Sequence, residues 1–141
     1  MALAMDMAAL NAFLRSDFPQ VADQFVVDAA CKEGVTLRMR VNDLHLRPGG
    51  TVSGPTMFGL ADVAIYLAIL SRIGPVALAV TTNASIDFMR KPVAGADLTC
   101  RAEVLKLGRS LAVGSALIFS TGRGDPVARA SMTYAIPFVD G

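Results

Sequence analysis

Thr56-Met57-Phe58-Gly59-Leu60-Ala61-Asp62-Val63-Ala64-Ile65-Tyr66-Leu67-Ala68-Ile69-Leu70-Ser71-Arg72-Ile73 is almost wholly apolar, with the small residues Gly59, Ala61, Ala64 and Ala68 set among large ones. Gly54-Pro55 precedes this stretch and Gly74-Pro75 follows it. Proline suits a first helical turn, where its missing N–H has no partner to lose, and a Gly-Pro pair stops a helix. The spacing predicts a helix over about 55–73, starting near Gly54 and hydrophobic on nearly all sides. Such a helix is either a membrane span or a core helix wrapped by a sheet. The glycine- and proline-broken flanks and the alternating segments around it favour the sheet.

Upstream, Val35, Leu37, Met39 and Val41 alternate with Thr36, Arg38 and Arg40, the period-two pattern of a half-buried strand. Farther back, Leu3, Met7, Leu10 and Leu14 recur at helical spacing until Asp17-Phe18-Pro19 ends the run, which predicts a short amphipathic helix. Downstream, residues 77–89, 98–107, 111–120 and 127–136 read as strands. Turn signals separate them at Lys91-Pro92, Gly108-Arg109-Ser110 and Thr121-Gly122-Arg123-Gly124-Asp125-Pro126. The order of elements predicts an α+β fold, with one antiparallel sheet of five or six strands curved around the apolar helix.

A chain of 141 residues has the length of one domain, so 1–141 is read as a single domain. Lys+Arg 13 against Asp+Glu 12 leaves no net field to attract a polyanion, and no basic run points to nucleic acid. Hydrophobic residues make up 53%, an excess that predicts a subunit interface as well as a core. Cys31 and Cys100 lie far apart with no metal-ligand spacing, and are expected to be buried free thiols without a zinc site or a disulfide. The N-terminal stretch has no basic region and carries Asp6, which argues against a secretory signal and for a cytoplasmic location without a membrane partner. The glycine-rich loop before the helix is not followed by G-K-[ST], so it is not a phosphate-binding P-loop.

Between Arg47 and Arg72 the only formally charged side chain is Asp62, in the middle of the apolar helix. An ionised carboxylate there costs several kcal/mol of desolvation unless partners or water reach it. Asp62 is either a structural acceptor for buried donors or a working group, acting as nucleophile or as general base toward water. The helix N-terminus supplies the complementary charge, because its free N–H groups sit at the positive end of the dipole. Gly54 allows a carbonyl oxygen close and keeps its N–H, whereas Pro55 has none, so Gly54 is the candidate oxyanion donor. The alternative is a Gly-Pro pair that merely starts a helix. Asp62 lies eight residues beyond Gly54, about 12 Å along the axis at ~1.5 Å per residue. One carbonyl cannot easily touch both in the same chain, but a two-fold dimer with antiparallel helices would pair Gly54 of one copy with Asp62 of the other.

The stretch Leu46-Arg47-Pro48-Gly49-Gly50-Thr51-Val52-Ser53-Gly54-Pro55 with Leu60-Ala61-Asp62-Val63-Ala64 resembles the hotdog-fold thioesterases of the phenylacetic acid degradation type. Ser85-Ile86-Asp87-Phe88-Met89-Arg90-Lys91-Pro92, Leu107-Gly108-Arg109-Ser110-Leu111-Ala112 and residues 128–137 extend the resemblance over most of the chain. It implies hydrolysis of an acyl-CoA-type thioester without metal or cofactor, by a homodimer that pairs into a homotetramer. Asp62 and Gly54 fall on the family's acid and oxyanion positions, and Thr81, with Thr82 beside it, on a hydroxyl position that helps hold the water. The family's asparagine, histidine and second glycine are replaced here by Arg47, Ser53 and Pro55. A thiolate leaving group with a pKa of about 8.5 needs little acid assistance, so Asp62 and Gly54 remain a sufficient pair. Ser53 either bonds substrate or water or caps the helix. Arg47 either meets an anionic acyl group or CoA phosphate, or is solvated. With Pro55 it lines the expected substrate side, and Arg90, Lys91 and Arg109, with Lys106, lie at strand ends where a CoA tail could be met. The rival readings are an acyl-CoA-binding protein that has lost catalysis, an interaction protein without a small-molecule site, and a dehydratase using His45, the only histidine. The position of His45 before the loop suits a structural role better.

Overall fold

The computed structural model describes residues 3–137. In chain order these form α1 (Met7–Asp17), β1 (Phe25–Cys31), β2 (Gly34–Met39), α2 (Gly54–Ile73), β3 (Val80–Phe88), β4 (Leu98–Leu107), β5 (Leu111–Ser120) and β6 (Pro126–Ala135). The strands make one antiparallel sheet in the order β1-β2-β4-β5-β6-β3. The chain leaves β2, runs through α2 and places β3 on the far edge, so the sheet closes around the helix. This is the expected α+β hotdog arrangement, with six strands.

Local chemistry sets the ends of α2. Ser53 is its N-cap, accepting from the Thr56 N–H, and Pro55 sits in the first turn. At the other end Gly74 takes φ 97°, a left-handed value that glycine adopts without a Cβ clash, and its N–H donates to Leu70 O at 2.8 Å. Between them Leu60, Ala61, Ala64, Ile65, Leu67 and Ile69 are fully buried against inward-facing Leu37, Leu98, Ile118, Ala128 and Met132. The helix is long and apolar enough to cross a bilayer by composition, but most of it is buried inside the sheet.

Three details differ from the sequence-based expectation. Strand β1 was not expected, because only Phe25 and Val27 of its seven residues are buried and the register shifts between Val27 and Ala29. Helix α1 starts at Met7 rather than Leu3, because the Asp6 carboxylate accepts from the Ala9 N–H at 2.9 Å and fixes the first turn there. Cys31 is exposed at the end of β1, whereas Cys100 is buried on β4, where burial pushes its thiol well above the ordinary range.

Gly114 on β5 lies directly against the helix. A Cβ built there would lie 2.5 Å from Ile65 Cγ2 and 3.0 Å from Glu103 O. Gly114→Ala is expected to destabilise the fold by about 1–3 kcal/mol through overpacking, read as a lower denaturant midpoint with unchanged slope. Ile65→Ala should reduce the added cost of the glycine substitution in the double variant, since it removes the clashing methyl.

Candidate active site

Asp62 points from α2 toward the open side of the sheet, where it is half-buried. Thr81 at the start of β3 lies directly opposite Tyr134 on β6. The Thr81 Oγ1 donates to Asp62 Oδ1 at 2.6 Å. The Tyr134 hydroxyl shares its single proton between the same Oδ1 and the main-chain oxygen of Asp62 in a bifurcated bond. The desolvation cost of the carboxylate is thus offset by neutral hydroxyl donors rather than by a cation. Tyr134 is fully buried, and burial first, then the Asp62 charge and their hydrogen bond, raises its phenol far above the usual range.

Asp62, Thr81 and Tyr134 line a cleft of about 410 Å³ together with Phe18, Tyr66 and Val80 and the polar Asp17 and Gln20. Tyr66 packs edge-on to Phe18 at 6.1 Å and near Tyr134 at 6.3 Å, and donates to Ala77 O at 2.9 Å. Burial, then the charge of Asp17, pushes the Tyr66 phenol up to about 12.

A second cleft, also about 410 Å³, opens at the N-terminus of α2 and is lined by Arg47, Gly54, Met57, Phe88, Arg90 and Lys91. The Phe88 ring covers Gly54 so closely that a Cβ there would meet Cζ at 3.3 Å. Arg90 is steadied by an Nη1 bond to Pro126 O at 3.0 Å. Four of the residues expected from the sequence, Arg47, Gly54, Arg90 and Lys91, therefore share one cleft, and Asp62 and Thr81 share the other.

The other expected residues lie elsewhere. Ser53 Oγ donates to Thr56 Oγ1 at 2.8 Å and accepts from the Thr56 N–H at 3.3 Å, so its hydroxyl is engaged at the helix cap. Pro55 faces a separate depression beside Gln24 and His45. Arg109 sits in the β4–β5 turn and lines neither cleft. His45 is buried, its Nδ1 accepting from the Asn42 N–H at 3.0 Å and its Nε2 lying 3.1 Å from Gln24 Oε1. Among the described residues, no three His, Cys, Asp or Glu side chains are grouped to hold a metal ion.

Tyr134 was not anticipated. The signal for it was the alternation Met132, Tyr134 on the inward face of the last strand. A phenol buried there must find an acceptor, and the apolar helix opposite carries one carboxylate.

A curved antiparallel sheet wrapped around one long helix is the hotdog fold, here with a half-buried carboxylate at its opening. The chain belongs to the thioesterase superfamily, whose family model matches residues 49–127. A solved candidate thioesterase from Silicibacter sp. TM1040 is 56% identical, with a TM-score of 0.90 over 98% of this chain and 96% of that one. The E. coli PaaI protein from the phenylacetic acid degradation operon is 25% identical, with a TM-score of 0.77 over 90% of this chain and 89% of that one. A candidate esterase from Pseudomonas aeruginosa is 31% identical across 73% of this chain and 75% of its own length.

The chain contains only two tyrosines, Tyr66 and Tyr134, and both phenols are raised. The folded protein is expected to show little phenolate ultraviolet absorbance at pH 10.0, where the unfolded chain is half-ionised. Above that pH the native state holds more protons than the unfolded state, so stability falls as pH rises from 10.0 toward about 12. Tyr66→Phe should flatten part of that fall in alkaline denaturant titrations.

Proposed function

We propose that the protein hydrolyses acyl-CoA-type thioesters at sites shared by two copies, with Asp62 of one copy as nucleophile or general base and the Gly54 N–H of the other as oxyanion donor. The observation that carries this reading is the Asp62 carboxylate, held by hydroxyl donors in a cleft walled in part by Phe18, Tyr66 and Val80. As a base, Asp62 takes a proton from water while the water oxygen attacks the thioester carbon. As a nucleophile, it forms a mixed anhydride that water then opens. In both routes negative charge develops on the carbonyl oxygen, the C–S bond breaks and the thiolate leaves unaided. No metal or cofactor is needed for these steps.

The disposition of β3 supports the shared site. Its start, at Val80 and Thr81, borders the Asp62 cleft, and its end, at Phe88, borders the Gly54 cleft. The strand is an edge of the sheet with exposed Val80 and Phe88. Antiparallel pairing of β3 with β3 of a second copy would set each Asp62 cleft beside the partner's Gly54 cleft. In this reading Arg47, Arg90 and Lys91 meet the phosphates of the CoA moiety, Ser53 and Pro55 shape the same helix end, and Arg109 stands at the periphery. Two such dimers form the tetramer, and the enzyme works in the cytoplasm.

A second reading, an acyl-CoA-binding protein without turnover, is favoured by one observation, that the Ser53 hydroxyl is spent on capping where the family has histidine. Release of free thiol from a panel of acyl-CoAs separates the two. Wild-type turnover is expected, and Asp62→Asn in a folded variant should lower kcat/KM by about 10²–10⁴-fold. Tight CoA binding with no thiol release by the wild type would establish the second reading.

The cationic cleft has its own signature. Replacing Arg47, Arg90 and Lys91 together with alanine is expected to raise KM for acyl-CoA by about tenfold or more, a change of about 1.4 kcal/mol, with weakened salt dependence. Thioesters of truncated pantetheine, which lack the nucleotide phosphates, should be turned over at unchanged KM.

A further inference from the structure

We propose that Tyr134 is a positioning residue which, together with Thr81, pins Oδ1 of Asp62 and so reserves Oδ2 as the oxygen that meets water or the thioester carbon. The proposal rests on the reading of Asp62 as the working carboxylate. Thr81 and Tyr134 both bond Oδ1, and among the described residues no side chain or backbone donor is placed on Oδ2. Two hydroxyl donors on one oxygen occupy its lone pairs and stop rotation of the carboxylate, while leaving its negative charge in place. A lysine or arginine in their stead would neutralise that charge.

The fold is built to deliver both hydroxyls. Tyr134 lies on an inner strand, paired with Ala112 on one side and with Thr81 on the other, and its ring is locked in the core beside Tyr66. From Asn83 to Phe88, β3 alternates so that Ala84 and Ile86 oppose the inward Met132 and Ala130. Continued without interruption, that alternation would turn Thr82 inward and Thr81 outward. The register shift between Thr81 and Asn83 inserts one residue, so Thr81 instead opposes the inward Tyr134 while Thr82 bonds Thr133 O at the outer surface. The bulge therefore selects which of two adjacent threonines reaches the carboxylate. Tyr134 also reaches the Asp62 main-chain oxygen, so the same hydroxyl registers the helix against the sheet at the reacting residue.

The test compares Tyr134→Phe, which keeps the ring and removes the hydroxyl, with Thr81→Val and Thr81→Ser, using thiol release and thermal melting of each variant and Asp62→Asn as the control. Tyr134→Phe and Thr81→Val are each expected to lower kcat by about 10- to 100-fold with KM within about twofold, as loss of orientation does. Thr81→Ser, which restores the hydroxyl, should recover most of kcat. If Asp62→Asn, or the wild type itself, shows that the carboxylate does no chemistry, the underlying reading fails and this proposal with it. If Asp62→Asn is inactive but Tyr134→Phe turns over within about twofold of wild type, the reading of Asp62 stands and the positioning role is overturned. Should Tyr134→Phe not fold, Thr81→Val decides through the acid limb of its kcat/KM–pH profile: a limb moved to higher pH, as loss of a donor to the carboxylate requires, upholds the proposal, and an unmoved limb, as loss of a water-holding hydroxyl alone would give, overturns it.

Discussion

Helix α2 has no polar face to give to water, and most of the structure follows from that constraint. An amphipathic helix can lie on a flat sheet, but one that is apolar all round must be enclosed. Each large side chain buried along α2 contributes about 1.5–3 kcal/mol relative to exposure, and the gain is realised only if the sheet curves around it. Strands β2, β4 and β5 make the floor of that curve and β6 its flank. Gly114 removes a side chain where Ile65 packs against the sheet. Asp62 emerges on a side left open, between α2 and the β3–β6 edge.

That opening makes a carboxylate tolerable in an otherwise apolar helix. Asp62 is half-exposed to the cleft and receives hydroxyl bonds from two strands, so it is neither stranded in the core nor loosened into solvent. The two clefts differ in chemistry. Aromatic and aliphatic side chains with Asp17 and Gln20, but among the described residues no cation, line the Asp62 side, whereas three cations and a helix N-terminus join the apolar residues of the Gly54 side. A thioester has the same polarity, with a carbon-rich acyl group on one side of the reacting carbonyl and a phosphate-bearing carrier on the other. Strand β3 runs from one cleft to the other on the sheet edge, which is why a partner strand completes the site in the proposed reaction.

The elements legible in the sequence were those whose burial follows one period. Helix α2 was legible from its unbroken apolar run and its Gly-Pro ends, β2 from alternation, and β3, β4, β5 and β6 as strand-like stretches between turn residues. Strand β1 was not, because Asp28 and the two alanines that follow break the alternation at a bulge, and the strand is held by pairing with β2 rather than by its own pattern. Asp62 stood out because charge is conspicuous against an apolar background. Thr81 came from family resemblance, since nothing local separates it from Thr82. Cys31 defied its residue type, being placed at the exposed end of an edge strand.

What the sequence alone determined is the enclosure of α2, the placing of a single acid within it and a free N–H at its start, because these depend on residue type and spacing along one helix. Tertiary structure decided the rest of the environment of Asp62. Tyr134 is 72 residues away in the chain, and it reaches the carboxylate only because β6 returns beside β3. Thr81 reaches it only because a one-residue bulge turns the strand. Register and bulge position are set by pairing across the whole sheet, a sum over many weak hydrogen bonds and contacts that no single segment encodes. The presence of a lone acid in the helix could therefore be read from the chain, whereas the hydroxyls that hold its Oδ1 are a property of the assembled sheet.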